Sequence, residues 1–358
     1  MIGKTNATTI IGGSTVSGYQ VQWIDIDGTI LKREFVAAGG TATPPSNPTY
    51  DSTYLTFNTW NYTNFTNIQA PTNIGAIYNT VNNKTYVKVT INATSGYAIT
   101  LYFNKSNGDT MTVDWGDTNT STFTNSGSFN TGAHTYAAYG NYVISISISG
   151  TGTFAFGNGA SSTCLLGSSA VQRDTATAVY CNNQTNTHIN YGLASLRNLT
   201  VLSLNQTSII YSLPDNYVSS CVKLNCLNIP STITYTNASC LNQVNAILYV
   251  NIPNTFTTYF SQSLAATSCE TYIITSSVTS IDTWNFNNVQ GFKIYVIQPT
   301  TPPTLGTDPF LNTSPKSKIY VPTAQLNTYK TATGWSAYAS RIYPMSNLDG
   351  KTLNRELI

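Results

Sequence analysis

A mainly β, multidomain fold that ends in a repeat solenoid is what this 358-residue sequence predicts, on three observations. A short apolar phrase recurs every 23 residues between Leu199 and Pro322. Upstream of it, apolar and polar residues alternate in runs separated by turn signals, the pattern of half-buried strands. The composition is dominated by Asn, Thr, Ser and Tyr: only 8% of residues are charged, while 41% hydrophobic and 12% aromatic content is enough for packed cores and favours strands over disorder.

The phrase ends at Thr207, Pro230, Pro253, Ser276, Pro299 and Pro322, each 23 residues after the last. Three positions earlier stand Leu204, Leu227, Val250, Ile273, Val296 and Ile319, apolar in all six copies. One position earlier is a looser column, Gln206, Ile229, Ile252, Thr275, Gln298 and Val321. One short strand per unit at this period is the signature of a leucine-rich-repeat solenoid. A lone unit cannot bury its apolar side, and stacking joins those sides into one core. The units resemble the BspA-type leucine-rich repeats of bacterial and phage surface proteins, with Cys221, Cys240 and Cys269 standing, at irregular spacing, where that family often has a Cys. Ile319 to Ile342 resembles that family's end cap: a last strand, then an amphipathic helix carrying Leu326, Tyr329 and Trp335. Residues 199–345 are assigned to the repeats and this cap, and 346–358 to a tail with 349–353 as a final strand.

Residues 1–17 are small and polar, too poor in apolar content to form a core, and are assigned as a leader that orders against a partner. Their apolar residues Ile2, Ile10, Ile11 and Val16 are the candidate anchor. In 18–82, Tyr19, Val21 and Trp23 alternate with Gln20 and Gln22, Asp27-Gly28 signals a hairpin turn, and Thr29–Val36 returns. Phe57, Trp60 and Ile74–Tyr78 follow. Trp23-Ile-Asp-Ile-Asp-Gly-Thr-Ile-Leu-Lys32, the Ala-Gly-Gly stretch before Pro44, Asn47-Pro-Thr-Tyr50, Trp60 and Ala76-Ile-Tyr78 resemble the β-grasp-like B repeat of internalins, the Listeria–Bacteroides repeat, which implies a spacer or interaction module. In 83–152 strands are expected over Tyr86–Ile91, Ile99–Phe103, Met111–Trp115 and Gly140–Ile148, with a turn at Asn107-Gly108. Val113-Asp-Trp-Gly-Asp117, His134-Thr-Tyr136 and Gly140-Asn-Tyr-Val-Ile144 resemble the PKD type of immunoglobulin-like sandwich, which implies a Trp packed between two sheets. Thr118 departs from that pattern, which has Gly there. Residues 153–198, with a short strand at Thr153–Phe156, are assigned as the cap of the solenoid's first end.

The chemistry that the sequence offers is that of binding. There is no Cys-x-x-Cys pair, and the six cysteines read as small core residues. No cofactor or metal is expected: Asp114 and Asp117 read as turn acceptors, and Asp25 and Asp27 likewise. His134 is accounted for by sandwich packing and His188 reads as a loop residue, so the two histidines supply no catalytic pair. A net charge of +2 without a basic stripe excludes nucleic acid and anionic membrane as partners. No window approaches the roughly 20 apolar residues of a membrane span.

Three interaction-type modules in a row read as a rod with a recognition surface on the repeats, where Tyr211, Tyr217, Tyr235, Tyr259 and Tyr272 are the candidate contact residues. The chain starts at Met1 without an export signal, so the leading expectation is a non-enzymatic structural protein of a virion. Its particle would be a phage of gut Bacteroidetes (crAss-like), with the chain a head fibre, capsid decoration or tail-fibre component. It would be assembled in the host cytoplasm and carried on the particle surface. Its expected partners are other virion proteins through the N-terminus and a host surface protein or glycan through the repeats, in a homotrimer or dimer. A BspA-type cell-surface adhesin is the alternative, and a secreted glycan-degrading enzyme the third reading.

Overall fold

The computed structural model describes residues 17–94, 96–106, 108–124, 130–150, 152–157, 164–167, 169–182, 186–187, 190–205 and 212–353. The anchor residues Ile2, Ile10, Ile11 and Val16, with Tyr211, His188, Asn107 and the first phrase's Gln206 and Thr207, lie outside them. The fold is mainly β, with 9% helix, several sheets and a C-terminal β-solenoid of about seven turns.

The first module is a four-stranded sheet in the order β2-β1-β4-β3, built from β1 (Tyr19–Ile24), β2 (Ile30–Val36), β3 (Leu55–Trp60) and β4 (Thr72–Thr80). The central pair, β1 and β4, is parallel, and the two outer pairs are antiparallel. The turn after β1 forms because Asp27 Oδ1 accepts from Thr29 N (2.8 Å) and Gly28 takes φ +90°. On one face Trp23 packs edge-on against Trp60 and Phe65, 4.9 and 5.0 Å away. The alternation in β1 predicts a wet second face, yet Gln20 and Gln22 are buried as deeply as their apolar neighbours. The cause lies outside the module: this face is covered by the repeats.

Two sheets follow. One contains β5 (Thr85–Ile91), β7 (Met111–Asp114), β8 (Thr120–Phe123) and β10 (Gly140–Ile148); the other contains β6 (Ala98–Lys105) and β9 (Asn130–Thr135). Trp115 is fully buried between them, with its Nε1 donating to Ser121 Oγ (2.9 Å) and its carbonyl accepting from Tyr136 Oη (3.0 Å). Thr118 takes φ +74°, a conformation suited to glycine and costly for a β-branched residue. The segment expected to cap the solenoid's first end supplies strands to both sheets. There β11 (Phe154–Phe156) pairs with β6, α1 (Ala170–Arg173) makes one turn, and β12 (Ala176–Tyr180) pairs with β5; β13 (Asn186–Thr187) pairs with β11.

The other edge of β12 pairs in parallel with β14 (Val201–Ser203), the first strand of the coil. The sandwich therefore closes the solenoid's first end with backbone hydrogen bonds. One hydrophobic core runs without a break from Val87 and Trp115 to Trp335 and Ile342.

Each of the first five coils carries two strands, and the last two carry one. The longer ones are β14, β16 (Cys226–Asn228), β18 (Tyr249–Asn251), β20 (Thr271–Ile274), β22 (Ile294–Ile297), β24 (Lys318–Val321) and β25 (Ile342–Pro344). The two-residue ones are β15 (Ser212–Leu213), β17 (Tyr235–Thr236), β19 (Thr258–Tyr259), β21 (Ser280–Ile281) and β23 (Thr304–Leu305), which form one parallel sheet. The third side is a stack of turns in which alternate amides reach the next coil, as from Leu241 N to Ser263 O (2.9 Å) and Leu264 N to Asn285 O (3.2 Å). Positive φ recurs there in pairs four residues apart: Asn216 and Ser220, Ser239 and Gln243, Gln262 and Ala266, Trp284 and Asn288. Between them Val218, Leu241, Leu264 and Phe286 point inward. The three repeat cysteines occupy different places on this path, which explains their irregular spacing. Burial raises the Cys221 and Cys269 thiols to about 12, so they behave as small apolar residues.

The apolar column of the repeat needs one correction. Tyr295 is level with Ile319 and Val296 with Tyr320, a step of 24, whereas Ile273 and Val296 are 23 apart. Leu204, Leu227 and Ile319 belong to the solenoid core, but Ile273 and Val296 sit on the opposite face, in the cluster shared with the first module. The column stays apolar because both faces of this sheet are covered.

The cap folds as two short pieces, α2 (Leu326–Thr331) and a 3₁₀ turn over Trp335–Arg341, in place of one amphipathic helix. Tyr329 Oη donates to Pro299 O (2.7 Å) and Trp335 Nε1 to Pro303 O (2.8 Å), so both rings seal the last coil. Residues 349–353 make no strand; they return to the start of the first module, where Gly350 N donates to Gly18 O (2.8 Å) and Leu353 N to Gln20 Oε1 (3.1 Å).

Candidate functional site

The rod expected from three modules in series is replaced by a folded-back arrangement. The first module lies against the outer face of the coil's longer strands, and side chains hold it there. Asn228 Nδ2 donates to Ala76 O (2.9 Å) and Ile24 O (3.2 Å), Asn251 Nδ2 to Asn228 Oδ1 (2.7 Å), and Asn61 Nδ2 to Asn251 O (2.8 Å). All three amides are buried. Gly75 is required at this seam, since a Cβ there would lie 2.4 Å from Asn228 Cγ. Asp25 is buried beside it and accepts from Tyr78 Oη (2.6 Å). Its burial raises the carboxyl above its ordinary value, against the lowering effect of that hydrogen bond.

Two cavities open along the seam. The smaller, about 250 Å³, has Gln22, Arg33, Tyr249 and Glu270 in its wall, with Arg33 donating to Gln22 Oε1 (3.1 Å). The larger, about 630 Å³, lies between the loop 62–72 of the first module and the bends of successive coils from Asn254 to Gln325. It falls in the range of small-ligand clefts, roughly 300–1,000 Å³. Its deeper wall is apolar and aromatic, with Tyr19, Tyr62, Ile68 and Met345 buried. Its rim is made of amides and hydroxyls. Asn64 Oδ1 accepts from Thr66 N and Oγ1 (2.9 and 2.8 Å), and Asn67 Oδ1 from Gln69 Nε2 (2.7 Å). Asn254 Oδ1 accepts from Thr63 N and Oγ1, both at 3.2 Å, and so ties coil to module. Among the described residues, no Asp, Glu, His, Cys, Lys or Arg lines it. Its titratable groups among the described residues are phenols, and burial and the Asp349 charge push the Tyr19 phenol above its ordinary value.

Three of the five tyrosines expected on the binding surface are in the core instead. Tyr217, Tyr259 and Tyr272 are 1%, 0% and 3% exposed, in the solenoid core, and burial raises their phenols well above the ordinary value. Each is on an inward position of its coil, which the linear spacing of Tyr does not reveal. Tyr235 is half-buried, its ring 5.6 Å from the exposed Phe260, and Tyr211 lies outside the described residues. His134 is placed as expected: it stacks on Trp115 and its Nε2 is 2.8 Å from Asp117 Oδ2. Burial alone would raise the Asp117 carboxyl; hydrogen bonds from His134 and Asn119 outweigh it and hold it below the ordinary value. Among the described residues no cluster of three or more His, Cys, Asp or Glu is placed to hold a metal ion. Sequence reading missed Asn228 and Asn251; their one signal is the phrase Asn-Ile-Pro occurring twice, 23 residues apart.

Fold and cleft define a β-solenoid repeat protein with a β-sandwich at one end and a small sheet module on its flank. Among solved structures the chain is similar to a leucine-rich repeat protein from Bacteroides ovatus, with 17% identity and a TM-score of 0.36 over 40% of this chain and 37% of that one. No protein-family model matches the chain, and no curated protein does.

Proposed function

We propose that this is a non-enzymatic binding protein of the adhesive type, whose ligand enters the larger cleft between the first module and the repeats. The carrying observation is the cleft's wall: an apolar floor and a rim of amides and hydroxyls, with, among the described residues, no acid, base or nucleophile other than hydroxyl groups. Ser276 and Ala324 are exposed on the rim, so Ser276→Trp and Ala324→Trp fill the cleft without touching a core. Binding of the labelled full-length protein to fixed gut-bacterial cells is expected to fall by roughly tenfold or more in each variant. Unchanged binding by both refutes the cleft as the site.

We further propose that the chain is carried on a phage particle, as a head fibre, decoration or tail-fibre component held through residues 1–17. An Asn/Thr/Ser/Tyr-rich chain with only 8% charged residues and a set of surface-type modules support this reading. Antibody against the repeats is expected to label purified particles, and deletion of residues 2–17 to abolish incorporation. Label confined to a bacterial envelope refutes the particle and places the protein on a cell surface.

A further inference from the structure

We infer that the ligand of this cleft is a neutral, hydroxyl-rich glycan segment; the inference rests on the cleft being the binding site. Its chemistry follows from which polar atoms the wall has already used. Among the described residues, the side-chain hydrogen bonds of Asn64, Asn67 and Asn254 all run through Oδ1, so each amide is held in orientation with its Nδ2 donor left over. On the repeat side Gln298 is the reverse. Its Nε2 is spent on Pro71 O (3.0 Å), which leaves Oε1 as an acceptor. Ser276 and Thr300, exposed on the same rim, add hydroxyls that donate and accept.

A wall that offers donors from the module and a coil, and an acceptor from another coil, matches a partner whose groups do both, which is the property of a sugar hydroxyl. A sugar ring also has an apolar face, and the buried Tyr19, Tyr62, Ile68 and Met345 supply the surface that such a face covers. Charged ligands fit poorly. Sulfate, uronate or phosphate would need Arg or Lys for charge-assisted hydrogen bonds, an ammonium would need a carboxylate, and among the described residues the lining has neither.

The test uses the full-length chain and calorimetric titration with neutral oligosaccharides (glucan, mannan and xylan fragments) beside uronate and sulfated oligosaccharides of equal length. Saturable binding of at least one neutral series is expected, with no binding of the charged ones. Asn64→Asp and Asn67→Asp each exchange the donor for a carboxylate oxygen while the Oδ1 contacts to Thr66 or Gln69 remain available. Each is expected to weaken neutral binding by roughly tenfold with an unchanged circular-dichroism spectrum. Preference for the charged series, or neutral binding unaltered by both substitutions, overturns the inference. If Ser276→Trp and Ala324→Trp block cell binding while no neutral oligosaccharide binds, the glycan class fails and the cleft remains the site. If those two variants leave cell binding intact, the site itself fails.

Discussion

The sandwich and the first module are both joined to the solenoid, in opposite ways. The sandwich is fused to it through backbone: β12 is at once a strand of the sandwich and the partner of the first coil strand, and the two share one core. The first module is attached through side chains: three buried amides, a glycine that admits one of them, and a second apolar cluster. A continuous sheet leaves no gap at the joint. A joint made by side chains leaves space beside them, and both seam cavities lie on that side of the molecule. The looser joint is where the open space lies.

The largest expected effect probes the fused joint. Trp115→Ala removes a fully buried ring from the shared core and is expected to cost about 3–5 kcal/mol. Sandwich and solenoid should then still unfold in one transition in urea, followed by far-ultraviolet circular dichroism and tryptophan fluorescence together. Two separated transitions would break the idea of one core. The docked joint comes next. Asn228→Ala removes the side-chain donor to Ile24 O and Ala76 O and one of the two acceptors of Asn251 Nδ2, which keeps Cys226 Sγ (3.6 Å), and is expected to cost about 1–3 kcal/mol. Hydrogen exchange should quicken in β1 and β4 and stay unchanged in β5 and β10; equal acceleration everywhere would erase the contrast between the joints. Within the sandwich, Thr118→Gly relieves the positive φ and is expected to stabilise by about 1 kcal/mol in thermal melting.

The smallest effect is a pH dependence at the seam. Because the folded state raises the Asp25 carboxyl, the native chain binds its proton more tightly than the unfolded one. That contribution is present in full below the ordinary value of 3.8 and is lost as pH rises through the raised one. Asp25→Asn keeps an acceptor for Tyr78 and removes the titration, so melting temperature against pH should flatten between those limits. An unchanged profile would remove Asp25 from the account.

Much of the architecture can be read directly from the residues. The 23-residue beat gives the solenoid, Asp27-Gly28 gives its turn, Gly140–Ile148 is a strand as expected, and the cysteines are core residues as their apolar neighbours imply. The candidate site was not readable in this way. Tyr217, Tyr259 and Tyr272 were selected as large amphipathic side chains, but the side of a coil on which a residue falls depends on turn lengths that vary by one or two residues. The cleft pairs residues 62–72 with 254–325, and nothing local in either stretch announces the other.

Interactions between near neighbours in the chain therefore settled the strands, the turns, the period of the coil and the apolar faces, because side-chain alternation and turn chemistry act over a few residues. Tertiary contact alone decided that Gln20, Gln22 and Asn228 are buried, that the apolar column serves two cores, and that a neutral cleft exists. The physical reason is that docking joins surfaces some 200 residues apart through shape and a handful of hydrogen bonds, such as that from Asn228 to Ile24, and these leave no period in the sequence.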